Sequence, residues 1–203
     1  MHSREYGPFA PKEVEQTYQK PEFKKISCTI NGIPVEKMVD KRASLTDFLR
    51  RDMGLTSVKK GCEVGECGAC SVLIDGKSVD SCLYLAIWAD GKDLWTTEGL
   101  MASDGSISII QQAFIDHAAV QCGFCTPGFI ITATEIVQRG KRYSRDELKV
   151  LLAGNMCRCT GYENIFRAVE DAIEVEIASR NLDLETDKAI EEENRYHDPQ
   201  IKD

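Results

Sequence analysis

The sequence predicts an α+β chain in which a small mixed sheet, crossed by one helix, is followed by four helices. Three observations predict it. Between Lys24 and Thr97, short runs alternate apolar and polar residues around two turn pairs, Asn31-Gly32 and Asp75-Gly76. Beyond Leu100, apolar residues recur at helical spacing instead. Eight of the nine cysteines form two sets of four, one set in each half of the chain.

The elements follow in order. Residues 1–23 hold three of the six prolines, Pro8, Pro11 and Pro21, and few apolar side chains, which predicts an extended arm. KKISCTI and IPVEKMV flank Asn31-Gly32 as a hairpin, and Ile26, Cys28 and Ile30 alternate so that Cys28 points into a core. Leu45, Phe48, Leu49 and Met53 make one helix face. SVLI and KSV flank Asp75-Gly76 as a second hairpin, and KDLWTT supplies a further strand. Residues 24–100 thus read as a ferredoxin-like β-grasp domain. Residues 101–180 read as four helices. Ile109, Ile110, Ala113, Phe114 and His117 mark the first, and Phe129 to Val137, after Pro127-Gly128, the second. Ser144 and Glu147 form a capping box that opens a third helix, closed by Gly154. Ile165, Val169, Ala172, Ile173 and Ile177 mark the fourth. Residues 181–203 carry eight acidic and three basic residues, most of the chain's net charge of −8, and read as a solvated acidic tail.

The cysteine spacing carries the chemistry. Cys62-x4-Cys67-x2-Cys70, followed by Cys82, matches the plant-type spacing for a 2Fe–2S cluster. Cys122-x2-Cys125 with Cys157-x-Cys159 forms a second quartet, placed where the first two helices and the last two helices join. Four thiolates around an iron–sulfur core carry negative charge, so nearby backbone N–H donors are needed. Gly61, Gly65 and Gly68 in the first loop allow that close approach. Structural zinc also uses C-x2-C pairs, but the x4 gap and the tight Cys157-x-Cys159 pair are less usual for it. A disulfide-stapled exported chain fits poorly, because the first twenty residues lack an apolar leader and 203 residues can bury a core unaided.

Other residues point away from catalysis by this chain. Glu63 and Glu66 read as an exposed rim of the first loop. His117, near a helix end, reads as a packing or capping residue. The SDGS stretch at 103–106 has too few glycines to cradle a phosphate, and no nucleophile–base pattern or dinucleotide fingerprint is present. Overall acidity argues against nucleic acid and anionic membranes, and no stretch approaches the length of a membrane span. A cytoplasmic chain is the expectation.

GCEVGECGAC, QCGFCTPG and CRCTGY, in this order, resemble the iron–sulfur subunit of the molybdenum hydroxylases, the xanthine dehydrogenase/xanthine oxidase family, over residues 24–175. The likeness is greatest to the separate small subunit of bacterial three-chain enzymes. The resemblance implies two 2Fe–2S clusters, ligated by Cys62, Cys67, Cys70 and Cys82 and by Cys122, Cys125, Cys157 and Cys159. It implies partner subunits carrying molybdopterin cytosine dinucleotide and FAD, in a dimer of heterotrimers. It also matches Gln121 and Cys159 to positions that contact the pterin. The implied role is single-electron relay from molybdenum to flavin, with a purine, another N-heterocycle or an aldehyde as the enzyme's substrate. Arg158 could offset cluster charge. A free-standing ferredoxin-type carrier is the alternative, although it leaves the helical half without a purpose.

Overall fold

The computed structural model describes residues 21–101 and 104–180. The acidic tail and nearly all of the N-terminal arm lie outside these residues. β1 (Phe23–Ile30) and β2 (Ile33–Asp40) pair antiparallel along their whole length, from Phe23 opposite Asp40 to Ile30 opposite Ile33. Between them Asn31 and Gly32 have φ of 51° and 77°, the two positive values a type I′ turn requires. β3 (Ser71–Ile74) and β4 (Lys77–Asp80) form the second hairpin across Asp75-Gly76. β5 (Asp93–Trp95) lies parallel to β1 and antiparallel to β3, which gives the order β2-β1-β5-β3-β4. The sheet is therefore mixed, as expected, and β1 begins one residue before Lys24.

The crossing helix spans its apolar pattern but changes winding part-way along. α1 (Leu45–Asp47) opens on Ser44, whose hydroxyl accepts from the Asp47 N–H, and then widens into a π turn over Phe48–Asp52. Leu45, Phe48 and Leu49 are fully buried beneath the sheet's inner face, beside Ile26, Cys28, Val72 and Leu94. Each such side chain contributes about 1.5–3 kcal/mol. Burial also lifts the Cys28 thiol above its ordinary range.

Four helices follow: α2 (Ile109–Asp116), α3 (Thr126–Gln138), α4 (Arg145–Leu151) and α5 (Glu163–Ser179). Ser144 and Glu147 form the expected capping box, and Ser108 with Gln111 forms a second one on α2. Two boundaries differ from the sequence reading. α3 starts at Thr126 and takes Pro127 into its first turn, where a missing N–H leaves no intrahelical bond unmade. α4 ends at Leu151, because Leu152 caps it by donating to the Leu148 carbonyl, and Gly154 lies beyond the helix. His117 caps α2, and its Nε2 lies 3.2 Å from Asp171 on α5. Phe114, Phe129, Ile136, Leu148, Ile165 and Val169 anchor the second buried core. Among the described residues no helix is long and apolar enough to cross a membrane.

The two cores meet where α3 lies along β3 and β4. That seam is polar. The Ser78 N–H donates to Glu135 at 2.7 Å, and the Ser78 and Thr132 hydroxyls are 3.2 Å apart. At the start of α3 the backbones come into direct contact, Gly128 against Gly68.

Candidate metal centres

The first quartet is built on the loop that leads into β3 and on the turn after β4. All nine cysteines are free of disulfides. The Cys62 N–H donates to Cys67 Sγ at 3.4 Å, and Cys70 lies beside Cys82. The four thiols therefore stand as two pairs, Cys62 with Cys67 and Cys70 with Cys82. Lys60 steadies the loop from below. Its ammonium bridges Asp47 at 3.1 Å and Glu63 at 2.5 Å, which leaves Glu63 and Glu66 exposed as expected. Thr46, Ser81 and the Cys70 carbonyl form a buried hydroxyl chain, 2.6 and 2.7 Å long at its two steps, which fixes the turn carrying Cys82.

The second quartet is built from helix ends. Cys125 is the N-cap of α3, and Cys122 lies in the loop before it. Cys157 and Cys159 lie between α4 and α5. Cys122 and Cys159 place their sulfurs 3.6 Å apart, and Cys125 lies beside Cys157. Cys122 and Cys125 both sense the charge on Cys157, so the four thiols form one connected group. Sequence reasoning missed the role of Tyr162. This residue has a φ of +69°, and its hydroxyl accepts the Cys157 N–H at 2.9 Å. Its ring packs edge-on to Phe129 and against Phe166. A non-glycine residue held in the left-handed region is a small strain that the aromatic packing offsets. The only sequence signal for it was its place directly after Gly161.

These residues fit a binuclear core bound by thiolates. Thiols set two by two match a core with two metals, each taking two sulfurs. The surrounding N–H groups are aimed at sulfur. Val64 and Glu66 donate to Cys62 Sγ at 3.4 and 3.3 Å, and they draw its thiol down to about 7. Phe124 acts likewise on Cys122, with Cys159 adding to the effect. Thr160 gives its N–H at 3.4 Å to Cys157 Sγ, and its hydroxyl lies 3.1 Å away. Burial pushes Cys70 and Cys125 the other way, each up to about 12. Each quartet thus has an outer thiol whose ionisation is favoured and an inner one in a less polar setting, and metal binding displaces the proton from both. A Cβ on Gly61 would come 2.7 Å from Cys67 Sγ, so the backbone must be bare where it passes that sulfur.

The two quartets differ in exposure. Cys122 and Cys159 are exposed, Cys70 is buried, and the other ligand candidates are half-buried. Gln121 is exposed next to Cys122, and none of the described residues hydrogen-bonds its side chain. Arg158 is exposed as well. Phe124, from the second loop, brings its ring to within 3.6 Å of the Cβ position of Gly61 in the first.

Comparison with known proteins agrees with this arrangement. Residues 28–94 match the model of a 2Fe-2S iron-sulfur cluster binding domain, and residues 96–170 that of a [2Fe-2S] binding domain. The chain is 51% identical over 148 residues to the xanthine dehydrogenase iron-sulfur-binding subunit of Escherichia coli O157:H7, spanning 72% of this chain and 92% of that one. It is 48% identical over 147 residues to the nicotine 6-hydroxylase small subunit of Paenarthrobacter nicotinovorans, spanning 72% and 88%. Among solved structures, quinoline 2-oxidoreductase from Pseudomonas putida 86 superposes with a TM-score of 0.73 at 44% identity, covering 76% of this chain and 96% of that one.

Proposed function

We propose a working mechanism from one premise: this chain belongs to the iron–sulfur small subunits of the molybdenum hydroxylases. Its role is electron transfer within an oxidoreductase complex, and it carries no substrate site of its own. The observation that supports this reading most directly is the pair of complete cysteine quartets, each set two by two, on loops that touch. Cys62, Cys67, Cys70 and Cys82 hold one 2Fe–2S core, and Cys122, Cys125, Cys157 and Cys159 hold the other. Each core, when bound, supplies a carrier that takes and gives one electron at a time.

The chain's own residues do three things. The N–H groups of Val64, Glu66, Phe124 and Thr160 offset the negative charge on the thiolates. The hydroxyls of Thr46 and Ser81 and the aromatic group around Tyr162 fix the ligand loops. The exposed side of the second quartet leaves Cys159 and Gln121 open to a partner. In this reading Cys159 and the Gln121 carboxamide face the pterin of a large molybdenum subunit, since an amide offers both a donor and an acceptor to a pterin edge. The Cys62 centre lies toward a subunit carrying FAD, and the whole forms a dimer of heterotrimers in the cytoplasm. Residues 24–100 and 101–180 act as two domains. The relatives' names include xanthine, nicotine and quinoline enzymes and aldehyde oxidoreductases, which supports an N-heterocycle or an aldehyde as the substrate class of the complex.

Purification from its own cells tests this directly. The chain should bring down a molybdenum-containing large chain and a flavoprotein, and should carry about four iron atoms as two 2Fe–2S centres. Isolation as a lone carrier, or with zinc in place of iron, would overturn it. Within that complex, Gln121→Ala should slow reduction of the clusters by substrate roughly five- to tenfold, the scale of one lost hydrogen bond, with iron content unchanged. Stopped-flow reduction at the wild-type rate would remove the role given to Gln121.

A further inference from the structure

Asn155 sits where the two cysteine loops meet, and neither quartet uses it as a ligand. It is 5% exposed. Its Nδ2 donates to the Gly68 carbonyl at 3.0 Å and comes within 3.5 Å of the Ser71 hydroxyl. Its own N–H bonds the Leu152 carbonyl at 3.0 Å, so its backbone is tied to the end of α4. The next residue, Met156, donates its N–H to the Cys67 carbonyl at 3.0 Å. Two consecutive carbonyls of the first loop, those of Cys67 and Gly68, are thus held by two consecutive residues of the second. Cys67 is a ligand of one quartet, and Cys157, directly after Met156, is a ligand of the other.

Gly68 shows how tight this junction is. A Cβ there would lie 2.4 Å from both Asn155 Nδ2 and the Gly154 carbonyl. The Gly68 carbonyl also accepts the Ser71 hydroxyl at 2.8 Å and the Ser71 N–H at 3.2 Å. Those two donors come from the first residue of β3, three positions on, so they hold Gly68 to its own half of the chain. Asn155 is the donor that reaches across. Removing it leaves the carbonyl satisfied by Ser71, so the stability cost of the loss is small. What disappears is the alignment between the loops.

We propose that Asn155 is a positioning residue whose carboxamide sets the separation and orientation of the two metal centres by pinning Gly68, and with it the Cys67–Met156 hydrogen bond. The proposal rests on the assignment of the two quartets to 2Fe–2S clusters. A cavity of about 260 Å³, lined in part by Asn155, Ser71, Asp80 and Glu135, lies on the sheet side of the junction.

Asn155→Ala and the nearly isosteric Asn155→Asp test this in the intact complex, with Ser71→Ala as control. In Asn155→Asp a carboxylate oxygen would face the Gly68 carbonyl in place of a donor. Both Asn155 variants should load iron as the wild type does. The spin–spin splitting between the two reduced centres should weaken and broaden, more in Asn155→Asp than in Asn155→Ala. Exchange of the Met156 amide hydrogen should quicken about tenfold, as expected where local protection is lost. Ser71→Ala should leave both readouts near wild type. Unchanged splitting and exchange in fully iron-loaded Asn155→Ala would overturn the proposal, as would an equal effect from Ser71→Ala. Loss of iron from both Asn155 variants would also overturn it, since Asn155 would then be a folding residue. Absence of two 2Fe–2S centres from the wild-type complex would instead overturn the assignment beneath the proposal.

Discussion

Replacing Cys67 by serine is expected to remove one of two iron–sulfur spin-resonance signals and to lower iron from about four to about two atoms per chain. The thiol of Cys67 is paired with Cys62, whose N–H donates to its sulfur at 3.4 Å. A serine hydroxyl ionises far less readily than a thiol, so the first quartet loses a thiolate that its loop is shaped around. The second quartet should survive. Its thiols stand at the N-cap of α3, in the loop before it, and on the loop between α4 and α5, supported by Tyr162 and Thr160. The backbone carbonyl of residue 67 still accepts the Met156 N–H after substitution, so the contact between loops is retained. Iron and sulfide analysis with spin resonance on the reduced complex checks this. Loss of both signals would mean that the two centres assemble as one unit, and an unaltered spectrum would exclude Cys67 as a ligand.

Gly128→Ala is expected to give the largest loss of stability. A Cβ at Gly128 would fall 2.1 Å from the Gly68 carbonyl oxygen and 3.2 Å from the Ala69 Cα. Both are backbone atoms of a loop that is itself hydrogen-bonded on its far side, so nothing can rotate out of the way. The added methyl must push α3 away from the cysteine loop, straining the Ser78 bonds to Thr132 and Glu135 across the seam. Overpacking of this kind costs about 3 kcal/mol, and a chain of this size should unfold roughly 6–12 °C lower. Thermal unfolding of the iron-loaded variant measures it. A midpoint within a degree of wild type would mean that the seam yields freely, contrary to the contacts described here.

Much of this architecture could be read directly from the residues. Asn31-Gly32 and Asp75-Gly76 placed both hairpins, because a type I′ turn needs two residues tolerant of positive φ and few pairs are. Ser144 and Glu147 placed the start of α4, and the apolar stripe from Ile165 to Ile177 placed α5. Cysteine spacing sorted eight thiols into the two sets that the fold brings together, because ligand chemistry restricts residue type and local spacing together. Helix ends were less legible. Pro127 looked like a boundary and lies inside α3, since a first turn has no use for its N–H.

What the sequence determined alone was thus local: turn chemistry, periodicity, and two sets of thiols each spaced for a metal core. Tertiary structure decided which thiols stand together, Cys62 with Cys67, Cys70 with Cys82, Cys122 with Cys159 and Cys125 with Cys157. It decided the roles of Tyr162 and Asn155, which look ordinary in the sequence. Tyr162 matters because its hydroxyl meets the Cys157 N–H, and Asn155 because its amide meets Gly68, 87 residues away. It also decided that the two cysteine loops touch, through glycines too small to keep backbones apart. Spacing along a chain carries no information on such contacts. They arise only when α3 packs against β3 and β4 and brings Gly128 onto Gly68.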